Sequence, residues 1–332
     1  MRVGLIDFDS KIVNLALAKL SSYHKARGDT VILNPSCAVG IDKAYCSVVF
    51  TRSKEKASLL SGTFDNISFG GTGWDLTVTL PDEIEALRPD YDLYTAADIY
   101  RRLAGIMTKK KRMQKSQTIV DAGIGFTSRG CVRKCGFCFV PKKEPVFCAA
   151  SEIRDIVNPR SNVLILLDNN FTAAPNCLEK LREIKERGLV VDFTQGIDIR
   201  TMTPEIAKAL SEIKHLRSIH FAWDFPDQET LIFRGVNILS RFIKPWRYLC
   251  LFLVGYNSCF EADMYRFNKL IEVGIDPYVM VWNNKSDARL RHFARWVNGR
   301  IYTKCRKFDD YMPWAKVCDQ YLATSQQTLF AA

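Results

Sequence analysis

The sequence predicts an α/β protein, with a partial (β/α)6 TIM-like barrel preceded by a small Rossmann-like parallel α/β domain. Short apolar runs alternate with segments of helical apolar spacing along most of the 332 residues, a pattern typical of parallel sheets covered by helices. A basic stretch interrupts the alternation once. We therefore predict a Rossmann-like domain at 1–102, a basic linker at 103–118, the barrel at 119–300 and a C-terminal tail at 301–332.

The first domain begins with a short apolar run at Val3–Asp7, which predicts a strand. Residues 12–24 carry apolar side chains at helical spacing, and Gly28 is placed to end that helix. The glycine run Gly70–Gly73 follows the last predicted strand and is a candidate cradle for a phosphate or for the tail of cobalamin. The remaining elements are strands at Thr30–Leu33, Tyr45–Thr51 and Ile67–Phe69, a helix at Lys54–Leu60 and a last piece at Tyr91–Arg102.

The segment Met107–Lys115 has almost no apolar periodicity and no acidic residue, so we predict a linker or mobile loop there. Beyond it, six continuous apolar runs alternate with helical patterns. In a barrel, ligands bind on the loops after the carboxyl ends of the strands, so polar residues at those positions are candidates for the site. The six predicted barrel strands are Ile124–Thr127, Val163–Leu167, Val190–Thr194, Ser218–Trp223, Tyr248–Val254 and Tyr278–Trp282. Their helices are predicted at 149–157, 176–187, 204–213, 227–241, 260–273 and 287–297.

Composition narrows the class of protein. The chain is 47% hydrophobic and 25% charged, and it has neither a charged-then-apolar leader nor a long apolar run. We therefore expect a cytoplasmic protein that does not cross a membrane. Eleven cysteines are an odd number for a disulfide scaffold in a chain of this length, which favours cytosolic thiols with some metal ligands among them.

The net charge of +11 is concentrated in two segments. Residues 101–143 carry 12 Lys and Arg against one acidic residue, and residues 285–307 carry 8 against one. Segregated charge of one sign indicates an anionic partner, and RNA is a candidate through Lys109–Lys115 and Arg289–Lys307. Phe293, Trp296 and Tyr302 interleave the second segment as candidates for base stacking; a core position is the alternative for Phe293 and Trp296, which have helical spacing.

Three cysteines follow the first predicted barrel strand on one short loop. Cys131, Cys135 and Cys138 lie at x3 and x2 spacing, with Gly130 and Gly136 allowing the loop to curl. Three thiolates suit a four-iron four-sulfur (4Fe-4S) cluster with one iron left open for a small molecule. The alternative is a structural zinc loop that uses Cys148 as its fourth ligand. Basic residues that would offset the charge of a cluster flank the loop at Arg129, Arg133 and Lys134.

The pattern C-x3-C-x-F-C, in which Phe137 is the aromatic residue, resembles the cofactor-binding loop of the radical S-adenosylmethionine (SAM) superfamily. The resemblance covers residues 119 to about 284. The first domain resembles the cobalamin-binding-like or methylthiotransferase-like domains that precede such cores. The resemblance implies that Cys131, Cys135 and Cys138 hold a 4Fe-4S cluster, beside which Phe137 contacts the cofactor.

The same resemblance implies a reaction and its cofactors. SAM binds the open iron and is cleaved reductively to methionine and a 5′-deoxyadenosyl radical, which abstracts a hydrogen atom from a substrate. An electron donor such as flavodoxin or ferredoxin supplies the electron, and cobalamin is a further candidate cofactor.

Two strand ends supply candidate SAM contacts. Asp168 and Asn170 stand where the family carries a Gly-Gly-Glu-like stretch that contacts the amino group of SAM; helix capping by Asn is the alternative. After the next strand, Gln195 and Asp198 are candidates for the ribose hydroxyls. Arg200 is a candidate for the methionine carboxylate, and a structural Asp–Arg pair is the alternative.

A third candidate contact follows the fifth barrel strand. Gly255, which allows close backbone approach, and Glu261 resemble the family's stretch near the adenine; an ordinary βα turn is the alternative. The sequence does not identify the substrate. We expect a radical SAM enzyme with an unidentified small-molecule, peptide or RNA substrate, the RNA case being methylthiotransferase-like. The alternative class is a non-enzymatic zinc protein that binds nucleic acid.

Overall fold

The computed structural model describes residues 1–103, 105, 107–282, 287–314 and 316–317. It is a mixed α/β protein with parallel sheets, as the alternation predicts. The chain divides into two compact units. Unit 1 contains residues 1–195 and 213–216, and unit 2 contains residues 196–212 and the described residues from 217 onward. Among the described residues, none of the helices combines the length and apolar character needed to cross a bilayer. Half of the predicted tail, at 315 and 318–332, lies outside the described residues.

Unit 1 begins with a four-stranded parallel sheet in the order β2-β1-β3-β4. The predicted third strand ends early, because the backbone N–H groups of Val49 and Phe50 leave the ladder and donate to the Asp9 carboxylate at 2.7 and 3.0 Å. The elements are β1 (Arg2–Asp7), α1 (Leu15–Ala26), β2 (Thr30–Leu33), β3 (Lys43–Ser47), α2 (Lys54–Ser58), β4 (Ile67–Gly70), α3 (Asp82–Glu85) and α4 (Ala96–Arg102).

The stretch predicted as a linker or mobile loop is helical. Helix α5 spans Lys109–Asp121, and the side chain of Thr108 caps its first turn. The helix is anchored by Ile119 and Val120 in its last turns, which are buried. The loop prediction is wrong because it was drawn from Met107–Lys115, which lacks periodicity, whereas the apolar contacts come from beyond that stretch.

The rest of unit 1 contains a second parallel sheet in the order β10-β9-β8-β5. A hydrophobic core joins Val3 and Leu5 of β1 with Ile124 of β5 and Ile165 of β8, so the boundary predicted at 103–118 lies inside unit 1. The elements are β5 (Gly123–Gly125), β6 (Ser128–Arg129), α6 (Val140–Lys143), β7 (Cys148–Ala149), α7 (Ile153–Ile156), β8 (Val163–Leu166), α8 (Cys177–Glu186), β9 (Val190–Phe193) and, from 214, β10 (Lys214–His215).

Unit 2 contains a three-stranded parallel sheet in the order β11-β12-β13. Before this sheet, Ile197 makes a single parallel bridge to Phe221. All three strands were predicted, as continuous apolar runs. The elements are α9 (Pro204–Ser211), β11 (Ile219–Ala222), α10 (Glu229–Ser240), β12 (Tyr248–Val254), α11 (Phe260–Glu272), β13 (Asp276–Val281) and α12 (Ala288–Asn298).

Candidate functional site

The three predicted ligand cysteines lie on a loop of unit 1 that is closed at its base. Strands β6 and β7 form an antiparallel pair in which Arg129 lies opposite Cys148. Gly130, directly before the first cysteine, has a φ of +77°, and a Cβ there would lie 2.3 Å from the carbonyl oxygen of Val146. Only glycine fits this position without displacing the backbone, so the sharp turn into the loop is set by the sequence.

Cys131, Cys135 and Cys138 are half-buried. The backbone N–H of Arg133 donates to the sulfur of Cys131 at 3.3 Å, and that of Val140 donates to the sulfur of Cys138 at 3.4 Å. Backbone N–H groups directed at cysteine sulfurs support negative charge on those sulfurs, as they do around iron–sulfur clusters. The loop therefore provides thiols together with donors that suit their thiolate form.

The loop does not present the thiols as a finished ligand set. In the described part of the chain, no group of three or more His, Cys, Asp or Glu side chains is arranged to hold a metal ion. Cys148, the fourth ligand in the zinc alternative, is exposed on β7 and is not brought into such a group. The donor chemistry itself fits a 4Fe-4S cluster, because three half-buried thiols share one short loop whose N–H groups contact two of the sulfurs, those of Cys131 and Cys138.

Asp168, at the end of β8, contacts the segment that leads into the loop. It is 2% exposed, and its carboxylate accepts hydrogen bonds from the backbone N–H of Thr127 at 3.0 Å and from the hydroxyls of Thr127 and Ser128, both at 2.7 Å. Lys180 of α8, which no sequence motif singled out as a site residue, donates to the carbonyl of Thr127 at 2.8 Å. Burial lowers the pKa of the Lys180 ammonium. Asp168 is thus engaged within the chain, and its contact with SAM stays a prediction.

Asn170 reaches the loop itself. It is 3% exposed, and its side chain does not cap the helical turn that follows it, so the capping alternative is not observed. Its Nδ2 donates to the sulfur of Cys131 at 3.4 Å. The neighbouring Asn169 donates from Nδ2 to Glu144 Oε2 at 2.8 Å, and the same oxygen accepts the N–H of Gly130 at 2.7 Å. The turn after β8 therefore holds the cysteine loop at several points.

Arg129 was predicted to offset the charge of a cluster. Its guanidinium instead contacts two carboxylates, Glu144 at 3.1 Å and Glu85 at 3.3 Å, and lies 4.0 Å from the ring centroid of Phe126. The positive charge of Arg129 is therefore balanced within the chain. Of the other flanking cations, Lys134 is exposed beside the cysteines.

The remaining predicted contacts are divided between the units. Phe137 is half-buried and Gln195 is exposed, both in unit 1. In unit 2, the Asp198 carboxylate accepts from Nε of Arg200 at 2.6 Å, while Nη1 of Arg200 donates to Gln228 at 2.7 Å. The structural Asp–Arg pair weighed as an alternative is therefore present, and the binding of ribose or of the methionine carboxylate by these residues stays a prediction.

Gly255 and Glu261 flank the turn between β12 and α11. Gly255 has a φ of +76°, and a Cβ there would lie 2.7 Å from Cδ1 of Leu290. Glu261 is exposed in the first turn of α11, where its own backbone N–H and the Cys259 side chain lower the pKa of its carboxyl. Both observations suit an ordinary βα turn, in which an acidic residue is favourable at the helix N-terminus, so a contact with adenine stays a prediction.

Unit 2 contains a buried charge cluster that the sequence analysis missed. The guanidinium of Arg266 on α11 is fully buried and donates to the carbonyls of Trp223 at 2.7 Å, Asp224 at 3.0 Å and Leu253 at 2.7 Å, and to Asp263 Oδ1 at 2.6 Å. It therefore joins the carboxyl ends of β11 and β12. The available signal was the i, i+3 spacing of an acid and an arginine on the core-facing side of a predicted helix.

No protein-family model matches this chain, and no curated protein matches it either. The assignment of a function therefore depends on the residues and contacts described above.

Asp224 predicts a dependence of stability on pH. Its carboxylate accepts the N–H of Leu253 at 3.1 Å, and burial raises its pKa from 3.8 to about 6. Since the folded state then binds the proton more tightly than the unfolded state, we expect this group to cost stability as the pH rises from about 4 to about 6 and no further above that. Asn keeps the acceptor oxygen but does not titrate, so Asp224→Asn is expected to remove this loss of up to about 3 kcal/mol in the free energy of unfolding.

The measurement is urea unfolding of both proteins across that pH range. Other carboxyls titrate equally in both proteins, so the difference between the two curves isolates Asp224. Parallel curves would contradict the prediction.

The glycine run after β4 has a structural explanation. Gly71 has a φ of +98°, and a Cβ there would lie 2.3 Å from the carbonyl oxygen of Val48; a Cβ on Gly73 would lie 2.5 Å from the carbonyl carbon of Phe50. The turn packs so closely on the segment after β3 that only glycine is accommodated. The run therefore needs no ligand to explain it.

The same edge of the sheet does not fit the phosphate or cobalamin tail for which the glycine run is a candidate cradle. In parallel α/β sheets such groups bind backbone N–H donors at the carboxyl ends of strands. Here the N–H groups of Val49 and Phe50 are taken by the Asp9 carboxylate, and an anionic tail would meet that charge.

Gly71→Ala is expected to destabilise the protein by about 1–3 kcal/mol, because the new Cβ is placed against a backbone oxygen at an unfavourable φ. Gly62→Ala is the matched control, since no atom lies within 4 Å of its added Cβ. Denaturant unfolding measures both. Equal stabilities for the two variants would show that the run is not required by packing.

The two basic segments differ in structure. On α5, Lys109, Lys110, Lys111 and Lys115 are exposed, and the first turn of the helix contains no acidic residue. On the second segment, the two aromatic residues of α12 do not face solvent. Phe293 and Trp296 are buried, so base stacking on them is wrong and the core alternative is confirmed. Tyr302 packs against Trp296, with ring centroids 5.8 Å apart.

Proposed function

We propose that this protein is a radical SAM enzyme. The observation that carries the proposal is the loop of Cys131, Cys135 and Cys138, with C-x3-C-x-F-C spacing, a glycine-dependent turn at its start and N–H donors on the Cys131 and Cys138 sulfurs. These three cysteines would hold a 4Fe-4S cluster. When bound, the cluster supplies the electron that cleaves SAM to methionine and a 5′-deoxyadenosyl radical.

The chain's own residues would bind the cluster and position it. The thiolates of Cys131, Cys135 and Cys138 would hold three irons, which would leave the fourth open to SAM. Glu144 ties Gly130 to Asn169, so the first cysteine is held relative to the end of β8. The contacts that the resemblance assigns to SAM, which this proposal retains, are Phe137, Asp168, Gln195, Asp198, Arg200, Gly255 and Glu261.

We further propose that a partial (β/α)6 barrel forms the framework of the site. Within unit 1, β5, β8 and β9 are parallel neighbours in chain order, and so are β11, β12 and β13 within unit 2. In unit 1, β10 continues the sheet beyond β9, and in unit 2 Ile197 forms one parallel bridge with Phe221 of β11. Parallel strands that follow one another in chain order support the proposal of a barrel, in which ligands would bind at the carboxyl ends of the strands.

Metal content tests the cluster assignment against the zinc alternative. After anaerobic purification and reconstitution, we expect a brown protein with about four irons and four sulfides per chain. One zinc per chain with no uptake of iron would overturn the proposal in favour of the zinc-binding alternative.

A second candidate, RNA as the substrate of the enzyme, is favoured by the exposed lysines of α5. Cations at a helix N-terminus are unfavourable, so their accumulation there suggests an anionic partner.

Changing Lys109, Lys110 and Lys111 to Gln is expected to weaken RNA binding. It should also reduce the slope of the logarithm of the binding constant against the logarithm of the salt concentration by about 2, since each phosphate contact with single-stranded RNA contributes about 0.7. The matched control changes three other exposed lysines, and an equal loss in it would refute a specific role of α5. The control residues are Lys56, Lys208 and Lys214.

A further inference from the structure

We infer that Asn170 is a positioning residue that donates a hydrogen bond to the cluster ligand Cys131 and raises the reduction potential of the cluster. This inference rests on the proposed function and assigns Asn170 a role toward the cluster rather than toward the amino group of SAM. Its basis is the contact of 3.4 Å between Asn170 Nδ2 and the sulfur of Cys131.

The turn at 168–170 is built to face the cysteine loop. Asp168 fixes the segment before the loop through Thr127, and Asn169 fixes Glu144 after it, at 2.8 Å. Asn170, the next residue along the chain, contacts a cysteine of the loop itself. Since the two residues before it are tied to the segments on either side of the loop, the position of the Asn170 amide relative to Cys131 does not depend on one hydrogen bond.

The burial of Asn170 strengthens its hydrogen bond to the sulfur of Cys131. The residue is 3% exposed, so water competes little for its amide, and its side chain does not cap the turn that follows. The sulfur of Cys131 also accepts the N–H of Arg133 at 3.3 Å. Two N–H donors on one sulfur stabilise a thiolate ligand by charge-assisted hydrogen bonding.

The consequence concerns the electron that enters the cluster. One-electron reduction adds negative charge that is shared with the thiolate ligands, and N–H donors stabilise the reduced form more than the oxidised form. Removing the amide should therefore make reduction harder. The difference between the two oxidation states is expected to be about tenfold in the reduction equilibrium, or about 59 mV for one electron.

The test compares three reconstituted proteins: wild type, Asn170→Leu and Asn162→Leu. Leu shares the branching of Asn at Cγ and removes the donor. Asn162→Leu makes the same change at an exposed residue before the other end of β8, whose Nδ2 donates to the carbonyl of Gly188 and does not contact the cysteine loop. All three should bind about four irons. The midpoint potential, followed by the electron paramagnetic resonance of the reduced cluster, should fall only in Asn170→Leu.

Equal midpoint potentials in all three iron-loaded proteins would overturn the role of Asn170 and leave the proposed function intact. Absence of iron in the wild type would overturn the proposed function and this inference with it. If Asn170→Leu does not fold, wild-type protein with ¹⁵N-labelled asparagine side chains gives the answer. A ¹⁵N hyperfine coupling on the reduced cluster that persists in Asn162→Leu supports the inference, and its absence contradicts it.

Discussion

Cys135→Ala is expected to abolish cluster binding and SAM cleavage completely. With one of the three thiols removed, two remain on the loop, which are too few to hold three irons of a 4Fe-4S cluster. Because Cys135 is half-buried on a loop and belongs to no strand or helix, the fold should be retained. The measurements are iron per chain after reconstitution, formation of 5′-deoxyadenosine, and circular dichroism as the check on folding.

Cys148→Ala is the matched control for this experiment. Cys148 lies close in sequence to the loop, is exposed on β7 and is the fourth ligand of the zinc alternative. We expect it to retain iron and SAM cleavage at the wild-type level. Loss of the bound metal in both variants would indicate a four-cysteine site and contradict the three-cysteine assignment.

Arg266→Met is expected to destabilise unit 2 by about 3–5 kcal/mol, the cost of leaving a buried partner charge uncompensated. Asp263 is 1% exposed and accepts from Arg266 at 2.6 Å, so the variant leaves its carboxylate buried without its cation. The carbonyls of Trp223 and Leu253 lose their donors as well. Equilibrium denaturation measures the effect.

Two further variants separate the charge pair from other effects of the substitution. Arg266→Met combined with Asp263→Leu should recover part of the lost stability, because no unpaired charge remains. Arg241→Met changes an exposed arginine of the same unit and should alter stability by no more than about 0.5 kcal/mol. A destabilisation as large in Arg241→Met as in Arg266→Met would contradict the account.

The strands of this protein were predictable because they are short, continuous apolar runs in series. Tyr248–Val254 was predicted with the bounds that the structure has, and the helices that follow such runs were placed within a few residues. The spacing of apolar residues shows which side chains face a core. In a parallel sheet covered by helices, it appears as continuous apolar runs that alternate with helical apolar spacing along the chain. The mixed α/β architecture follows from it directly.

The elements that were not predicted have no such apolar pattern in the sequence. Strands β6 and β7 have two residues each, too few for a pattern, and they exist because the cysteine loop closes on itself. Helix α5 was judged from its basic first half, whereas its buried residues lie in the second half. Both errors arise where tertiary contacts rather than local patterns determine the structure.

The candidate site was predictable only in part for the same reason. The spacing of Cys131, Cys135 and Cys138 is a local property, and it identified the loop. The partner of Asn170 is 39 residues away in the chain. The carbonyl partners of Arg266 lie directly after β11 and at Leu253 of β12, 42, 43 and 13 residues away. Such long-range pairs cannot be inferred from one sequence, because each side chain alone is compatible with several roles.

The most direct test of the central claim is whether this chain cleaves SAM reductively. Anaerobically reconstituted protein is incubated with SAM and a strong reductant, and 5′-deoxyadenosine and methionine are quantified by chromatography. We predict that both products form in equal amounts in the wild type and in Cys148→Ala, and that neither forms in Cys135→Ala. An iron-loaded wild-type protein that forms no 5′-deoxyadenosine above the level of Cys135→Ala would contradict this claim.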